Sequence, residues 1–414
     1  MTKVVALLES LDTKLEEALF AKEIIQEQGL DVLLIDNSTK GLDVNKGDYT
    51  PLDVLASIKI SREEFESLNK PARLETMTSA LMSLLPKLCE EHKIDGIVSI
   101  GGGQNGNMAS HAMKMLPFGF PKVLSSTLAC GVRQMEQFVG EKDIFVFPTI
   151  ADISGLNPIT KTVIRSVCSA VVGLVNGGSV YPNTVGRKVI AATMLGETTK
   201  STERSLRLIK EGTDYESVVF HANGVGGRCM EALIEEGRID GVIDFTTHEI
   251  TCEVLGGYCA GAHNRLLKAL EYELPMVVVP GGLDMIDYYI DESGSSLPKD
   301  LDQRKQVKHN SVILHCKVLK EEMKEIVELV CERLSHAKKP VTVVVPMKGC
   351  CETTSPGGPC YDPEVDEVMV ETFKRCMPDN AKLVFVDCSV MDDELSDVVA
   401  KEFKELVKQY GWEE

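Results

Sequence analysis

Val4-Val5-Ala6-Leu7-Leu8 is apolar at every position. A strand with one wet face alternates apolar and polar residues. An unbroken apolar run suits a strand covered on both faces, as in a parallel sheet flanked by helices. A polar turn follows, and Thr13 with Glu16 has the spacing of a capping box, which predicts a helix start. Leu15, Leu19, Ile24 and Ile25 give that helix an apolar stripe, and Gly29 stops it. Asp31 to Ile35 is a second apolar strand with Asp36 at its end. The unit reads β-α-β, a parallel pair with a right-handed crossover.

The same grammar runs along the chain. Asn37 to Arg73 is irregular and reads as an insertion at the mouth of the fold, with a helix beginning at Ser61, which forms a capping box with Glu64. Further helices are expected from about Leu74 to His92, from Met108, and from Lys161 to Val175. Strands are expected at Gly96 to Ile100, Pro121 to Ser125 and Ile144 to Phe147. Asn176 to Arg187 has the Gly, Pro and Asn content of a linker. Beyond it, strands are expected at Val189 to Met194, Ser217 to Phe220, Gly241 to Ile243 and Met276 to Val279. Three short matches recur in order: Leu11-Asp12-Thr13-Lys14 with Glu197-Thr198-Thr199-Lys200, Ile94-Asp95-Gly96 with Ile239-Asp240-Gly241, and Pro121-Lys122-Val123 with Pro275-Met276-Val277. They indicate a shared plan, reached by duplication or by convergence. A chain of 414 residues also exceeds one ordinary core. The expected fold is α/β, two Rossmann-like domains with mainly parallel sheets: residues 1–180 as a nucleotide-binding domain and 187–414 as a C-terminal domain with a candidate substrate site.

The formal net charge of -19 and the lack of any Lys/Arg run argue against a nucleic-acid partner. No apolar run approaches the roughly 18 residues of a membrane span, so no membrane partner is expected; Ser169 to Val175 reads as a buried helix end. Met1-Thr2-Lys3 leads straight into a strand without a signal-peptide pattern. A cytoplasmic location is expected, with the 13 scattered cysteines kept as reduced, small apolar residues. Cys350, Cys351 and Cys360 cluster, but without CxxC spacing or a nearby histidine, and no metal is assigned to them.

In open parallel sheets, ligands sit outside the carboxyl ends of the strands. The foremost turn is Gly101 to Gly106, where Gly101, Gly103 and Gly106 meet G-x-G-x-x-G literally and Gly102 and Asn105 fill it out. Glycines let backbone N–H groups approach an anion, and a following helix adds its positive end. The same glycines would also serve a tight turn needing positive φ. Asp12-Thr13-Lys14 is next: Thr13 can cap or touch phosphate, and Lys14 is a first-turn cation that a bound anion would offset, or a solvated surface lysine. Thr127 ends another strand with Ser125 and Ser126, and Asp36 is placed either to meet a ribose or to cap. The second half offers an acid/base set at strand ends: His221 with Gly224 to Arg228, Asp244 with Thr246 to Glu249, and Pro280 to Asp284. His221, Arg228, His248, Glu249 and Asp284 are its catalytic candidates, His248 being equally suited to a satisfied buried role. Lys308-His309-Asn310 and Pro356 to Pro363 are loops that could close over that set.

In order along the chain stand Leu11-Asp12-Thr13-Lys14, Ile94-Asp95-Gly96 leading to Gly101-Gly102-Gly103, Ser126-Thr127 with Gly131, and Asp152-Ile153-Ser154-Gly155-Leu156-Asn157. Gly224 to Gly227 with Met230-Glu231, Asp244 with Thr246-Thr247 and Glu249, and Pro356-Gly357-Gly358-Pro359 with Asp362-Pro363 complete the series. Together they resemble a bacterial and fungal uncharacterised protein family with an ATP-binding domain, similar to the N-terminal region of the tomato mosaic virus resistance protein. Asn107 stands where that family usually has Thr, Val132 where a polar residue is frequent, and Cys360 where an aromatic is usual. The resemblance implies two Rossmann-like subdomains, a homodimer or higher homo-oligomer, and ATP in the N-terminal half. Gly101 to Gly106, Thr13, Lys14 and Thr127 would then hold phosphates, with Mg2+ beside Asp12 or Asp152. The expected function is an ATP-binding protein of unassigned reaction. The alternatives are an enzyme acting on a small anionic metabolite in the C-terminal domain or cleft, by phosphoryl transfer or ligation, and a non-catalytic regulatory protein that binds ATP.

Overall fold

The computed structural model describes residues 2–43, 46–128, 135–178, 187–261, 263–291 and 297–412. The chain divides into two units, Met1–Asn183 and Thr184–Glu414. Together they give the α/β, two-Rossmann class expected from the sequence.

The first unit runs β1 (Val4–Glu9), α1 (Leu11–Glu27), β2 (Asp31–Asp36), α2 (Pro51–Ala56), α3 (Arg62–Ser67), α4 (Lys70–Glu90) and β3 (Gly96–Gly101). It continues through α5 (Gly103–Lys114), β4 (Lys122–Ser126), α6 (Met135–Val139), β5 (Phe145–Pro148) and α7 (Pro158–Gly177). Its five strands form a parallel sheet in the order β2-β1-β3-β4-β5. The continuous apolar run of β1 is covered on both sides. Val5 and Leu7 pack with α1 and α7, and Ala6 and Leu8 with α4 and α5. This two-sided burial is why β1 cannot alternate.

Helices α4 and α7 begin earlier than expected, at Lys70 and Pro158, and the starts of α1 and α5 also differ from expectation. The capping box at Thr13 does not form: α1 begins at Leu11, whose N–H donates to Asp36 Oδ1 at 3.1 Å, and Thr13 Oγ1 turns back to Ser10 O at 3.4 Å. A carboxylate from the neighbouring strand end thus satisfies the first orphan donor, and Lys14 (φ -130°, ψ 27°) interrupts the helix just after. In α5 the helix begins at Gly103 rather than Met108, so Gly103 to Gly106 form its first turn. The capping box at Ser61 and Glu64 does form. The apolar helix end expected near Ser169 is part of α7, 20 residues of mean hydropathy 1.4, long and apolar enough to cross a bilayer by length and composition. Here Val163, Ile164, Val167 and Val171 bury it against Ile25, Val98 and Val123.

The second unit begins β6 (Val189–Met194), α8 (Thr199–Lys210), β7 (Glu216–His221), α9 (Val225–Glu235), β8 (Gly241–Thr246), α10 (His248–Leu255), α11 (Leu267–Glu271) and β9 (Met276–Gly281). It ends β10 (Met285–Tyr289), β11 (Gln306–Lys308), β12 (Ile313–Lys317), α12 (Lys320–Leu334), β13 (Val341–Pro346), α13 (Pro363–Cys376), β14 (Ala381–Val386) and α14 (Asp393–Gln409). Six strands form a parallel sheet, β14-β13-β9-β8-β6-β7, and three form an antiparallel one, β10-β12-β11. The antiparallel sheet had no counterpart in the sequence reading, and β8 extends through Asp244, Phe245 and Thr246, which were expected beyond it.

The ordered sequence matches occupy equivalent places. Asp95 Oδ2 accepts the Val4 N–H at 2.7 Å, and Asp240 Oδ2 accepts that of Val189 at 2.9 Å. Pro121 O accepts from Ile97 N, and Pro275 O from Val242 N, both at 2.9 Å. The aspartates tie β3 to β1 and β8 to β6, and the prolines tie β4 to β3 and β9 to β8, the same places in β2-β1-β3-β4 and β7-β6-β8-β9. Residues 179–186 of the expected linker, together with Cys130, Gly131 and Val132, lie outside the described residues. The twelve described cysteines carry free thiols.

Candidate functional sites in the two units

In the first unit the strand order reverses between β1 and β3, the switch point where ligands of such sheets bind. Its floor is a fixed polar network. Glu9, the last residue of β1, is buried, and its carboxylate accepts the Ile100 N–H and, at 3.2 Å, Asn105 Nδ2. Asn105 Nδ2 also donates to Ser99 Oγ at 3.0 Å, and Asn105 Oδ1 accepts from Asn37 Nδ2 at 2.6 Å. Burial pushes the Glu9 carboxyl well above the usual range.

The glycines around this network have separate reasons. A Cβ on Gly101 would stand 2.5 Å from Asn105 Nδ2, on Gly103 2.6 Å from Leu128, and on Gly106 2.6 Å from Ser126 Oγ. None of Gly101, Gly102, Gly103 or Gly106 has positive φ, so the positive-φ explanation is set aside. Close strand–helix packing requires Gly101 and Gly106, whereas Gly103 meets only the outer end of the exposed Leu128 side chain beyond β4. Gly102 differs: it is the N-cap residue of α5, at φ -75°, and a Cβ there would meet nothing within 4 Å. A groove of about 830 Å3 runs from Gly103, Gln104 and Asn107 of α5 to Leu74, Thr78 and Met82 of α4.

The remaining N-terminal candidates flank the turn or the start of α1. Thr127 N–H donates to Gly101 O at 3.2 Å. Thr13 is exposed. Asp12 Oδ2 accepts the Gly41 N–H at 3.3 Å, and Lys14 Nζ lies 4.0 Å from Glu17 Oε1. Asp152 is exposed on the segment that returns to α1 through Gly155 N–H and Glu17 Oε1 at 2.8 Å. Asp36 Oδ1 also accepts the Ser38 N–H at 2.9 Å, the capping alternative of its sequence reading.

In the second unit the five catalytic candidates do not form one constellation. Glu249 faces α9: its Oε1 accepts N–H groups of Gly224 at 2.6 Å and Gly227 at 3.1 Å, and its Oε2 lies 2.9 Å from Arg265. Arg265 also grips Asp244 at 2.5 Å, and all three residues are fully buried. His248, one residue earlier on α10, faces the other way. Its Nδ1 lies 3.1 Å from Gly282 O, and its Nε2 is 3.3 Å from Cys252 Sγ and 3.4 Å from Asp287 Oδ2. Burial alone would lower His248; the Cys252 sulfur and the Asp287 carboxylate outweigh it and hold the imidazole well above its usual pKa. Asp284 belongs to a third group, accepting Lys317 Nζ at 2.7 Å and the Cys350 N–H at 3.1 Å, while Lys317 reaches Asp366 at 2.8 Å. Burial raises Asp366 to about 7. His221 is exposed, and Arg228 donates to Gly261 O at 3.4 Å.

Sequence reasoning missed Cys252, Cys259, Asp287, His315 and Arg265. Asp287 and His315 are cross-strand partners in β10 and β12. From the segment expected to close over the five candidates, Lys308 to Asn310, His309 instead stands with its ring 4.4 Å from that of His315, whose Nε2 faces Glu197 at 4.0 Å. Glu197 is held by the Thr353 N–H at 2.8 Å, just ahead of the Pro356 loop. The available signals were a charged residue inside each of two apolar strands, and His248 and Cys252 four apart on a helix.

Residues 3–179 match the N-terminal domain, and residues 187–407 the C-terminal domain, of the Uncharacterised protein family (UPF0261). A UPF0261 protein of Clostridium tetani is 34% identical over 412 residues, covering 99% of this chain and 100% of that one. The ToMV resistance protein Tm-1(GCR237) of Solanum lycopersicum is 30% identical over 418 residues, 95% of this chain and 54% of the tomato protein, so the chain spans about half of that relative. A UPF0261 protein of Mesorhizobium japonicum is 29% identical over 392 residues, 94% of this chain and 96% of that one.

Proposed function

The chain belongs to the Uncharacterised protein family (UPF0261), and we propose that it is a nucleotide-binding protein whose N-terminal unit holds ATP. The observation that carries this reading is Gly102. It sits at the switch point, caps α5 and leaves open space where every other residue type would place a side chain. An anion there meets backbone N–H groups and the positive end of a 12-residue helix. The adjoining groove has the volume of a small-molecule site, and Leu74, Met82 and Met108 suit the flat apolar faces of adenine. Thr127 and Lys14 would flank the phosphates, and Asp12 or Asp152 would take Mg2+.

Titration calorimetry with ATP and with adenosine, each with and without Mg2+, tests this. Saturable ATP binding that adenosine reproduces only weakly supports it. Equal affinity for the two would remove the phosphate from the account.

A second reading concerns the C-terminal unit. Glu197 is partly exposed and His309 exposed, beside the buried His315, whose Nε2 has no hydrogen-bond partner. We propose these three, rather than His221 and Arg228, as the acid/base set of an enzyme acting on a small anionic metabolite. The check is ATP turnover in the presence of anionic metabolites. Turnover that persists unchanged in Glu197→Gln contradicts the assignment.

A further inference from the structure

We infer that His248 Nε2, Cys252 Sγ, Cys259 Sγ and Asp287 Oδ2 form a tetrahedral binding site for a zinc-class divalent cation. Three elements bring these atoms together. His248 and Cys252 stand four residues apart on α10 and therefore share a face. Cys259 arrives on the turn after α10, fixed where the Tyr258 N–H donates to Asp287 O at 2.7 Å. Asp287 lies in the middle of β10.

Three donor pairs stand near the spacing of a coordination shell. A tetrahedral ion held at ~2.0–2.1 Å by nitrogen and oxygen and ~2.3 Å by sulfur sets its ligand atoms roughly 3.3–3.8 Å apart. His248 Nε2 is 3.3 Å from Cys252 Sγ and 3.4 Å from Asp287 Oδ2, and Cys259 Sγ is 3.9 Å from Asp287 Oδ2. The donor atoms of His248, Cys252 and Cys259 all lie within 4.8 Å of one another. Two sulfurs, an imidazole and one carboxylate select a soft or borderline cation and disfavour Mg2+ and Ca2+, which need oxygen.

The surroundings fit the same role. His248 Nδ1 faces Gly282 O at 3.1 Å, which fixes the tautomer that turns the Nε2 lone pair inward. Asp287 Oδ1 is occupied by His315 Nδ1 at 2.5 Å, leaving Oδ2 for the ion. Nucleophilic use of Cys252 is disfavoured by its burial: it is 0% exposed, so a substrate carbonyl has no approach to its sulfur. Four protein ligands close the shell, so the ion would tie α10, the Cys259 turn and β10 together as a structural site.

The test uses the full chain, freed of metal by a chelator and then titrated with Zn2+ and, separately, Co2+. The expected result is about one Zn2+ per chain, a rise in melting temperature, and with Co2+ the intense visible bands of tetrahedral geometry and a sulfur-to-metal charge-transfer band. Cys252→Ser with Cys259→Ser should abolish the charge-transfer band, while Glu197→Gln should leave it intact. A folded wild-type chain that binds no Zn2+, or whose Co2+ spectrum lacks the sulfur band, overturns the inference without recourse to any variant. Zn2+ uptake lost in Glu197→Gln but retained by the double serine variant overturns it too, since it would trace the ion to Glu197, His309 and His315 instead.

Discussion

His315 Nδ1 lies 2.5 Å from Asp287 Oδ1, directly across the β10–β12 pair. The two residues are 4% and 7% exposed, and the other carboxylate oxygen of Asp287 turns to His248. A carboxylate this deep is tolerated only with partners on both oxygens. Asp287→Ala should therefore cost about 3–5 kcal/mol, as breaking a buried charged pair does. In chelator, a double-mutant cycle with His315→Ala should return a coupling of at least ~1 kcal/mol by urea denaturation. Additive losses would mean that the contact contributes nothing of its own.

Arg265 centres a separate buried network, joined to Asp244 and Glu249 with all three side chains shielded from water. Arg265→Met keeps most of the volume but leaves two buried carboxylates facing each other's charge. A loss of about 3–5 kcal/mol is expected in chemical denaturation. Adding Asp244→Asn and Glu249→Gln should recover part of it, because the uncompensated charges are then gone.

Burial raises Glu231 from 4.5 to about 7. Between those values the folded chain keeps a proton that the unfolded chain releases, so stability falls as pH rises through that window and is independent of this group on either side. The total is on the order of 3 kcal/mol. Stability measured from pH 4 to 8 should show this slope in the wild type and a shallower one in Glu231→Gln; identical slopes would show that the group titrates normally.

The glycines separate packing from binding. A Cβ on Gly227 would collide with Glu249 Oε2 and Arg265, whereas one on Gly102 meets nothing within 4 Å. Gly227→Ala should cost several kcal/mol, of the order seen for overpacked sites. Gly102→Ala should leave the melting temperature unchanged.

Much of this was legible in the residues. The unbroken apolar strands announced parallel sheets, and Asp95 and Asp240 marked the same strand-end tie in both units. What escaped depends on tertiary partners. The glycine run reads as a loop until Asn105 is seen tied to Glu9 and Ser99, which lets α5 begin at Gly103. Thr13 fits a helix cap until Asp36 from β2 takes that place at Leu11. Cys252 and Cys259 read as small apolar residues because their partners, His248 apart, come from β10. Arg265 lies in a stretch with no periodic pattern, and only the fold brings Asp244 and Glu249 to it.

The most direct measurement is calorimetric titration of Gly102→Val with ATP and Mg2+, run beside the unaltered chain and its melting curve. The substitution should leave the fold intact, since φ is ordinary and the space is open, while its side chain fills the place assigned to phosphate. The account predicts saturable ATP binding by the unaltered chain and at least tenfold weaker binding by a variant that melts at the same temperature. A variant that binds ATP like the unaltered chain, or an unaltered chain that takes up none, contradicts it.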